Sequence, residues 1–220
     1  MERCFVCKDI VRKNGMFSRS YTLVDPDAEE IVLSNHRGSA YAALQSTSLS
    51  CIARRQSIIF RGAGSPDPVV GTLESTVDKS VEPNSTTCTM IGRGTSGGES
   101  SHIKIRIHNN CCLHPYAAVI SFTHPILEKN VSFHCDACLW VKDSWTLPFY
   151  GNRITCASRK NVIFHEVGGG GEGRFAPPLP LLQIGKRGKH RYACDFSNLL
   201  TPLQAFMTGV ALIEADRLLL

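Results

Sequence analysis

In the stretch "LQAFMTGVALIE", residues 203–214, the apolar side chains do not keep to one side. Thr201 can cap, Pro202 suits the first helical position and no proline follows, so the segment predicts a helix. Placed every 100°, Leu203, Phe206, Met207, Val210, Leu212 and Ile213 go all round the cylinder, with Gln204 and Thr208 the polar side chains before Glu214. Such a helix has no face to offer water. A bilayer span needs about 20 apolar residues, and Glu214, Asp216 and Arg217 close this run well short of that. Protein must therefore surround it.

The segments that could do so read as short strands: "SYTLV", "SIIFR", "HIKIRIH", "AAVISF", "RITCAS", "NVIFHEV", "PLLQIG" and "RYACDF". Ile103, Ile105 and Ile107 alternate with Lys104, Arg106 and His108, the period-two pattern of a strand with one buried and one wet face. Between the strands lie the loop signals "DPDAEE", "GAGSPDP", "EPNSTT", "GRGTSGGESS", "KDSWTLP" and "GGGGEGRFAPP". No internal repeat or long linker divides the 220 residues, so one domain over 1–220 is expected, with variable loops near 92–101 and 168–180. A sandwich leaves no space for a helix that is apolar all round. A large closed barrel does, because its lumen needs filling and the helix can fill it with every side.

The chain carries no uninterrupted apolar stretch of signal-peptide or membrane-span length. Its ten cysteines are sparse and irregularly spaced, which suits reduced, buried thiols better than a disulfide scaffold. These points predict a cytoplasmic or nuclear location. The net charge of +5 permits an anionic partner without demanding one, and no basic helix face or finger spacing points to nucleic acid.

The last 40 residues make the reading specific. In "LLQIGKRGKHRYACDFSNLLTPLQAF", the residues Leu182, Gln183, Gly185, Lys186, Gly188 and Lys189, then Asp195 and Phe196, then Gln204, Ala205 and Phe206 resemble successive motifs at the end of the tubby C-terminal domain. Upstream, "FYGNRITCASRKNVIF" is similar to that family's glycine-arginine-valine-threonine-x-alanine-serine-x-lysine-asparagine stretch, with Asn152 inserted. The opening "RCFVCKDI", "GMFSRSYTLV" and "IVLSN", and the central "VVGTLES" and "YAAVISF", resemble it more loosely. The resemblance implies a mostly β protein, a closed antiparallel barrel of about twelve strands threaded by a hydrophobic C-terminal helix. It also implies a divergent member whose extent is that of the domain, without an N-terminal F-box.

Tubby domains are non-enzymatic modules that hold the headgroup of phosphatidylinositol 4,5-bisphosphate at a glycine-lysine-(leucine or isoleucine)-arginine-serine element. An arginine fork and a lysine point charge suit vicinal phosphates. Here "GTLES" keeps Gly71, Leu73 and Ser75 but has Thr72 in place of the lysine and Glu74 in place of the arginine, which reverses the local attraction. A further family arginine aligns near Leu113 and an asparagine near Leu49. His36 and Arg37 stand where relatives carry a basic run, and "LEKNVSFH" replaces a basic turn. The implied lipid site is thus weakened. A substitute anion site offers itself in "KRGKHR", where Lys186, Arg187, Lys189, His190 and Arg191 crowd one glycine turn; the plainer reading is the family's ordinary turn. It is no phosphate-cradling P-loop, since a strand rather than a helix follows.

Other constellations are weaker. Cys4 with Cys7 and Cys135 with Cys138, beside His134, have zinc spacing, but positions i and i+3 of a strand point to opposite faces, so no metal is expected. Cys111, Cys112, His108 and His114 lack the third member and oxyanion motif of a nucleophilic site, so no catalytic residue is assigned. Trp140 and Trp145 read as packing around a turn. Three outcomes remain for a monomeric domain without cofactor. It can tether to a phosphoinositide membrane, plasma membrane included; it can bind a protein partner, as an adaptor, transcription-related or otherwise; or it is a divergent copy with little activity. Leu203, Phe206, Met207, Val210 and Ile213 are the expected plug of the barrel in every case.

Overall fold

The computed structural model describes residues 1–13, 16–24, 31–34, 36–37, 40–41, 45–47, 55–62, 69–79, 86–94, 102–109, 117–123, 128–135, 139–141, 144–147, 149–166 and 180–218. Along these run β1 (Glu2–Lys13), β2 (Met16–Val24), β3 (Ile31–Ser34), β4 (His36–Arg37), β5 (Ala40–Tyr41), β6 (Gln45–Thr47), β7 (Arg55–Gly62), β8 (Val69–Lys79) and β9 (Thr86–Gly94). There follow β10 (Ile103–Asn109), β11 (Ala117–Thr123), β12 (Asn130–Cys135), β13 (Leu139–Val141), β14 (Ser144–Thr146), β15 (Val162–Glu166), β16 (Leu182–Lys186), β17 (Arg191–Phe196) and the helix α1 (Pro202–Leu218). The described residues are mostly β, with one large antiparallel sheet and a C-terminal helix. Among the described residues the sheet has the order β3-β2-β1-β17-β16-β15-β12-β11-β10-β9-β8-β7-β6. β3 makes a second antiparallel pairing, with β7, that sets Leu33 against Gly62 and Ser34 against Arg61. β4–β5 and β13–β14 are separate two-stranded pieces.

Period-two patterning sorts the two faces of the sheet. On β10, Ile103, Ile105 and Ile107 are buried while Lys104 and Arg106 are exposed. Ala118, Ile120 and Phe122 on β11 and Leu73 on β8 join the same core, as do Cys4 and Val6 on β1. α1 lies against this core face and touches β1, β3, β8, β9, β10 and β17, strands from widely separated places in the sheet order.

The helix begins with a reciprocal cap. Gln204 N–H donates to Thr201 Oγ1 at 3.2 Å, and Thr201 N–H donates to Gln204 Oε1 at 3.0 Å, so two otherwise orphaned amides are satisfied. From Gln204 to Ala215 every residue is buried. Phe206, Met207, Val210 and Ile213 are each worth about 2 kcal/mol of transfer free energy there, while Leu203 is half-buried at the rim. Thr208 returns its hydroxyl to the Gln204 carbonyl at 2.9 Å, which makes it tolerable among apolar neighbours. Met207 gets its room from glycines: a Cβ added at Gly71 or Gly92 would fall 2.5 or 2.6 Å from its end. Among the described residues no helix is long and apolar enough to cross a membrane.

Three expectations change. "RITCAS" (153–158) is not a strand; it is a strap over the outer face of the sheet, held by side chains and by one backbone bond, from Cys156 N–H to the Lys186 carbonyl at 3.1 Å, rather than by a ladder. Ser144–Thr146, inside the turn signal "KDSWTLP", pairs with Leu139–Val141 and sets Trp145 opposite Trp140. β9 takes in Gly92, Arg93 and Gly94, because its partners β8 and β10 supply edges that outweigh the glycines' turn preference. Pro180, at the end of the expected 168–180 loop, is buried. The rest of that loop, and 95–101, lie outside the described residues.

Candidate functional site

On β8 the buried Gly71, Leu73 and Ser75 alternate with the half-buried Thr72 and Glu74, so Thr72 and Glu74 both face outward. Thr72 lies between Ile59 of β7 and Arg93 of β9, and Glu74 between Ser57 and Ile91. One strand further, Lys104 stands opposite Ile91 and Arg106 opposite Thr89. Arg93, Lys104 and Arg106 are all exposed. The neutral and negative side chains of β8 therefore adjoin a cationic stripe on β9 and β10. Sequence reasoning missed Arg93 because "GRG" reads as loop; the alternation of Met90, Gly92 and Arg93 across β9 is what carries it outward.

A second basic surface gathers where β16 turns into β17. The turn is closed by Arg187 N–H and Gly188 N–H donating to the Arg191 carbonyl at 2.9 and 3.2 Å. Arg187, Lys189, His190 and Arg191 are exposed and Lys186 is half-buried. Arg187 and Arg191 do not point away from the protein. Their guanidinium carbons lie 5.8 and 3.8 Å from the centroid of the Phe5 ring, and that of Arg153 lies at 4.5 Å.

The strap explains how Arg153 arrives there. Gln183 on β16 accepts from Tyr150 N–H at 3.0 Å and donates back to the Tyr150 carbonyl at 2.9 Å, gripping the strap like a strand edge. Ile154 then lies on Gly185, where an added Cβ would come within 2.5 Å of its side chain. Between these two anchors Arg153 pairs with Asp195, itself bonded by Gln183 at 2.8 Å, and donates to the Cys4 carbonyl at 3.1 Å. Arg187 in turn donates to the Arg153 carbonyl at 3.1 Å. Burial, followed by the charges of Arg3 and Arg187, pulls the Arg153 guanidinium below its ordinary pKa.

A third charged centre is internal. Glu214 is 1% exposed, so it does not end the buried run as its charge suggests. It accepts from the Tyr21 hydroxyl, from Arg19 at 2.9 and 3.0 Å and from Lys8 at 3.3 Å. Burial alone would raise its pKa, but that hydroxyl and the Lys8 and Arg19 charges bring it below the usual carboxylate value. Lys160 donates to the Ile213 carbonyl; burial and then the Lys8 charge push its pKa down to about 8. The anchoring partners lie some two hundred positions away in sequence, which no local pattern signals.

Among the described residues the cysteines and histidines do not converge. Cys4 is in the core opposite Cys194 of β17, whereas Cys7 lies on the outer side of β1 opposite Arg191. The Cys135 thiol accepts from Ala118 N–H at 3.0 Å. His108 Nδ1 lies 2.9 Å from the Thr87 hydroxyl. Among the described residues no three such groups gather as a metal site. Leu49, Cys111, Cys112, Leu113, His114 and Cys138 lie outside them.

Compared with known proteins, residues 11–216 match the model of the Tub family. No curated protein matches the chain.

Proposed function

This chain belongs to the Tub family, and from that membership we propose that it is a single non-catalytic binding domain whose partner is a phosphoinositide-bearing membrane surface. On this reading the domain works in the cytoplasm and peripherally at membranes, and its grip at β8 is weak. The observation that carries the weakening is the outward orientation of Thr72 and Glu74 on β8. A carboxylate stands where a phosphate would have to approach, and Arg93 beside Thr72 supplies only part of the missing charge. Anion binding then falls to the basic turn with Lys186, Arg187, Lys189 and Arg191.

We read the scaffold as a barrel closed around α1. The β3–β7 pairing, which joins two distant members of the sheet order, and the contacts of α1 with strands along that order support it. A second reading, a protein-binding face, is favoured by Ile91, which is 39% exposed opposite Glu74 on the outer side of the sheet.

Liposome sedimentation with and without phosphatidylinositol 4,5-bisphosphate tests the proposal, comparing wild type with Thr72→Lys/Glu74→Arg. Selective binding by the wild type, strengthened in the double variant, is the expected result. Binding by the double variant alone would leave the scaffold competent and the natural chain without its lipid role. The protein-binding reading would then stand.

A further inference from the structure

Phe5 is 6% exposed, yet it lies outside the main hydrophobic cluster that packs around α1. It stands on the outer side of β1, between Arg3 and Cys7, and arginines cover it. One guanidinium on an aromatic face is a favourable contact. Three on one ring, with Arg3 close enough to depress Arg153, repel one another. The compensation is small. Asp195 pairs with Arg153, and among the described residues no carboxylate lies within ion-pair distance of Arg187 or Arg191.

We propose that the arginine cluster on Phe5, formed by Arg153, Arg187 and Arg191 with Arg3 at its edge, is a binding site for a compact anion carrying two or more phosphate groups. The proposal rests on the reading of this chain as an anion-binding domain and names the groups that do the binding.

Several features fit that ligand. The forks are held in place before anything binds: Asp195 and the Cys4 carbonyl hold Arg153, the Arg153 carbonyl holds Arg187, and the ring supports Arg191. Pre-held forks lose little freedom on binding, and planar guanidinium groups match phosphate oxygens two at a time. A single charge would leave most of the repulsion in place, whereas a bisphosphate relieves it among several arginines at once. Phe5 lies beneath the guanidinium groups and offers no open face on which a base could stack, so the cluster suits a phosphorylated headgroup or soluble polyphosphate rather than a nucleic acid strand. Lys186 and Lys189, although in the same turn, do not lie over the ring and supply only general positive charge.

The test uses two probes, tripolyphosphate by titration calorimetry and vesicles with or without phosphatidylinositol 4,5-bisphosphate by sedimentation. The variants are Arg187→Gln/Arg191→Gln, which leaves the Arg153–Asp195 pair intact, and Lys186→Gln/Lys189→Gln. We expect the arginine variant to lose about tenfold or more in affinity for whichever probe the wild type binds, and the lysine variant only about threefold. Loss on vesicles alone assigns the site to a lipid headgroup, and loss on both probes extends it to soluble phosphates. Wild-type affinity in the arginine variant overturns the cluster; if the lysine variant is then the one that fails, the basic turn still binds anions. A wild type that binds neither probe overturns the cluster and the anion-binding reading together. Should the glutamine variant not fold, Arg187→Lys/Arg191→Lys keeps the charge and removes the forks, and unchanged affinity there counts against the cluster in the same way.

Discussion

Tyr21 donates its phenolic hydroxyl to Glu214, which places a carboxylate of the last helix against the second strand inside the fold. Lys8 lies directly across from Tyr21 in the β1–β2 register and reaches the same carboxylate, as does Arg19. One buried acid thereby ties α1 to the first two strands of the chain. The entire helix is consequently docked by charge as well as by apolar contact.

Removing that acid isolates its partners. Glu214→Ala leaves Lys8 and Arg19 facing a half-buried site without a counter-charge, and the expected loss is about 3–5 kcal/mol. Urea unfolding measures it. A loss below about 1 kcal/mol, the scale of an exposed pair, would mean that water already screens the contact.

Acid should act on the same group. Because Glu214 has a folded pKa below its ordinary 4.5, its contribution is present above that value and is lost as pH falls through the depressed one. Wild-type stability should therefore fall more steeply on acidification than that of Glu214→Gln. Parallel pH profiles for the two proteins would contradict the assignment.

Lys160 gives a slope of the same sign in base, because its folded pKa is lowered too. It titrates at about 8 in the folded chain against 10.5 for an ordinary lysine, so in that window the unfolded chain holds the proton that the folded chain has released. Stability then rises with pH from about 8 toward 10.5 relative to Lys160→Met. Tyr21, raised above its ordinary 10 by burial and by Glu214, opposes this only above 10. Denaturation midpoints on either side of pH 8 would reveal the difference between the proteins.

The helix interior tolerates no charge. Phe206 is fully buried, and Phe206→Asp places an unpaired carboxylate among Met207, Val210 and the core strands, which should prevent folding. Soluble expression with wild-type melting behaviour would sink the buried-helix account.

The strap can be examined by a pair of changes. Gly185→Ala drives a methyl group into Ile154 and should cost about 1–3 kcal/mol. Ile154→Val in the Gly185→Ala background should recover part of that cost. Additive losses in the double variant would show that the two residues do not meet.

Several features were legible in the residue order alone. The helix at Pro202, its cap at Thr201, the burial of Phe206, Met207, Val210 and Ile213, and the alternation of Ile103, Ile105 and Ile107 all follow from patterns only a few residues long. The strap was misread because "RITCAS" has the composition of a strand, while Gln183, Asp195 and Gly185 hold it outside the sheet. Trp145 was misread in the other direction, since a turn signal hid a short strand whose partner starts at Leu139.

By itself the sequence determined which side chains seek the interior and which local geometry each segment prefers, because hydrophobic period and capping chemistry act between neighbours along the chain. The family resemblance was likewise readable from residue order. Only the tertiary structure decided that Arg93 lies beside Thr72, that Glu214 is paired with Lys8 and Arg19 and hydrogen-bonded by Tyr21, and that three arginines meet on Phe5. Those relations depend on strand register and helix placement, which bring together groups far apart in the chain, and a charge's effect depends on the groups within a few ångströms of it.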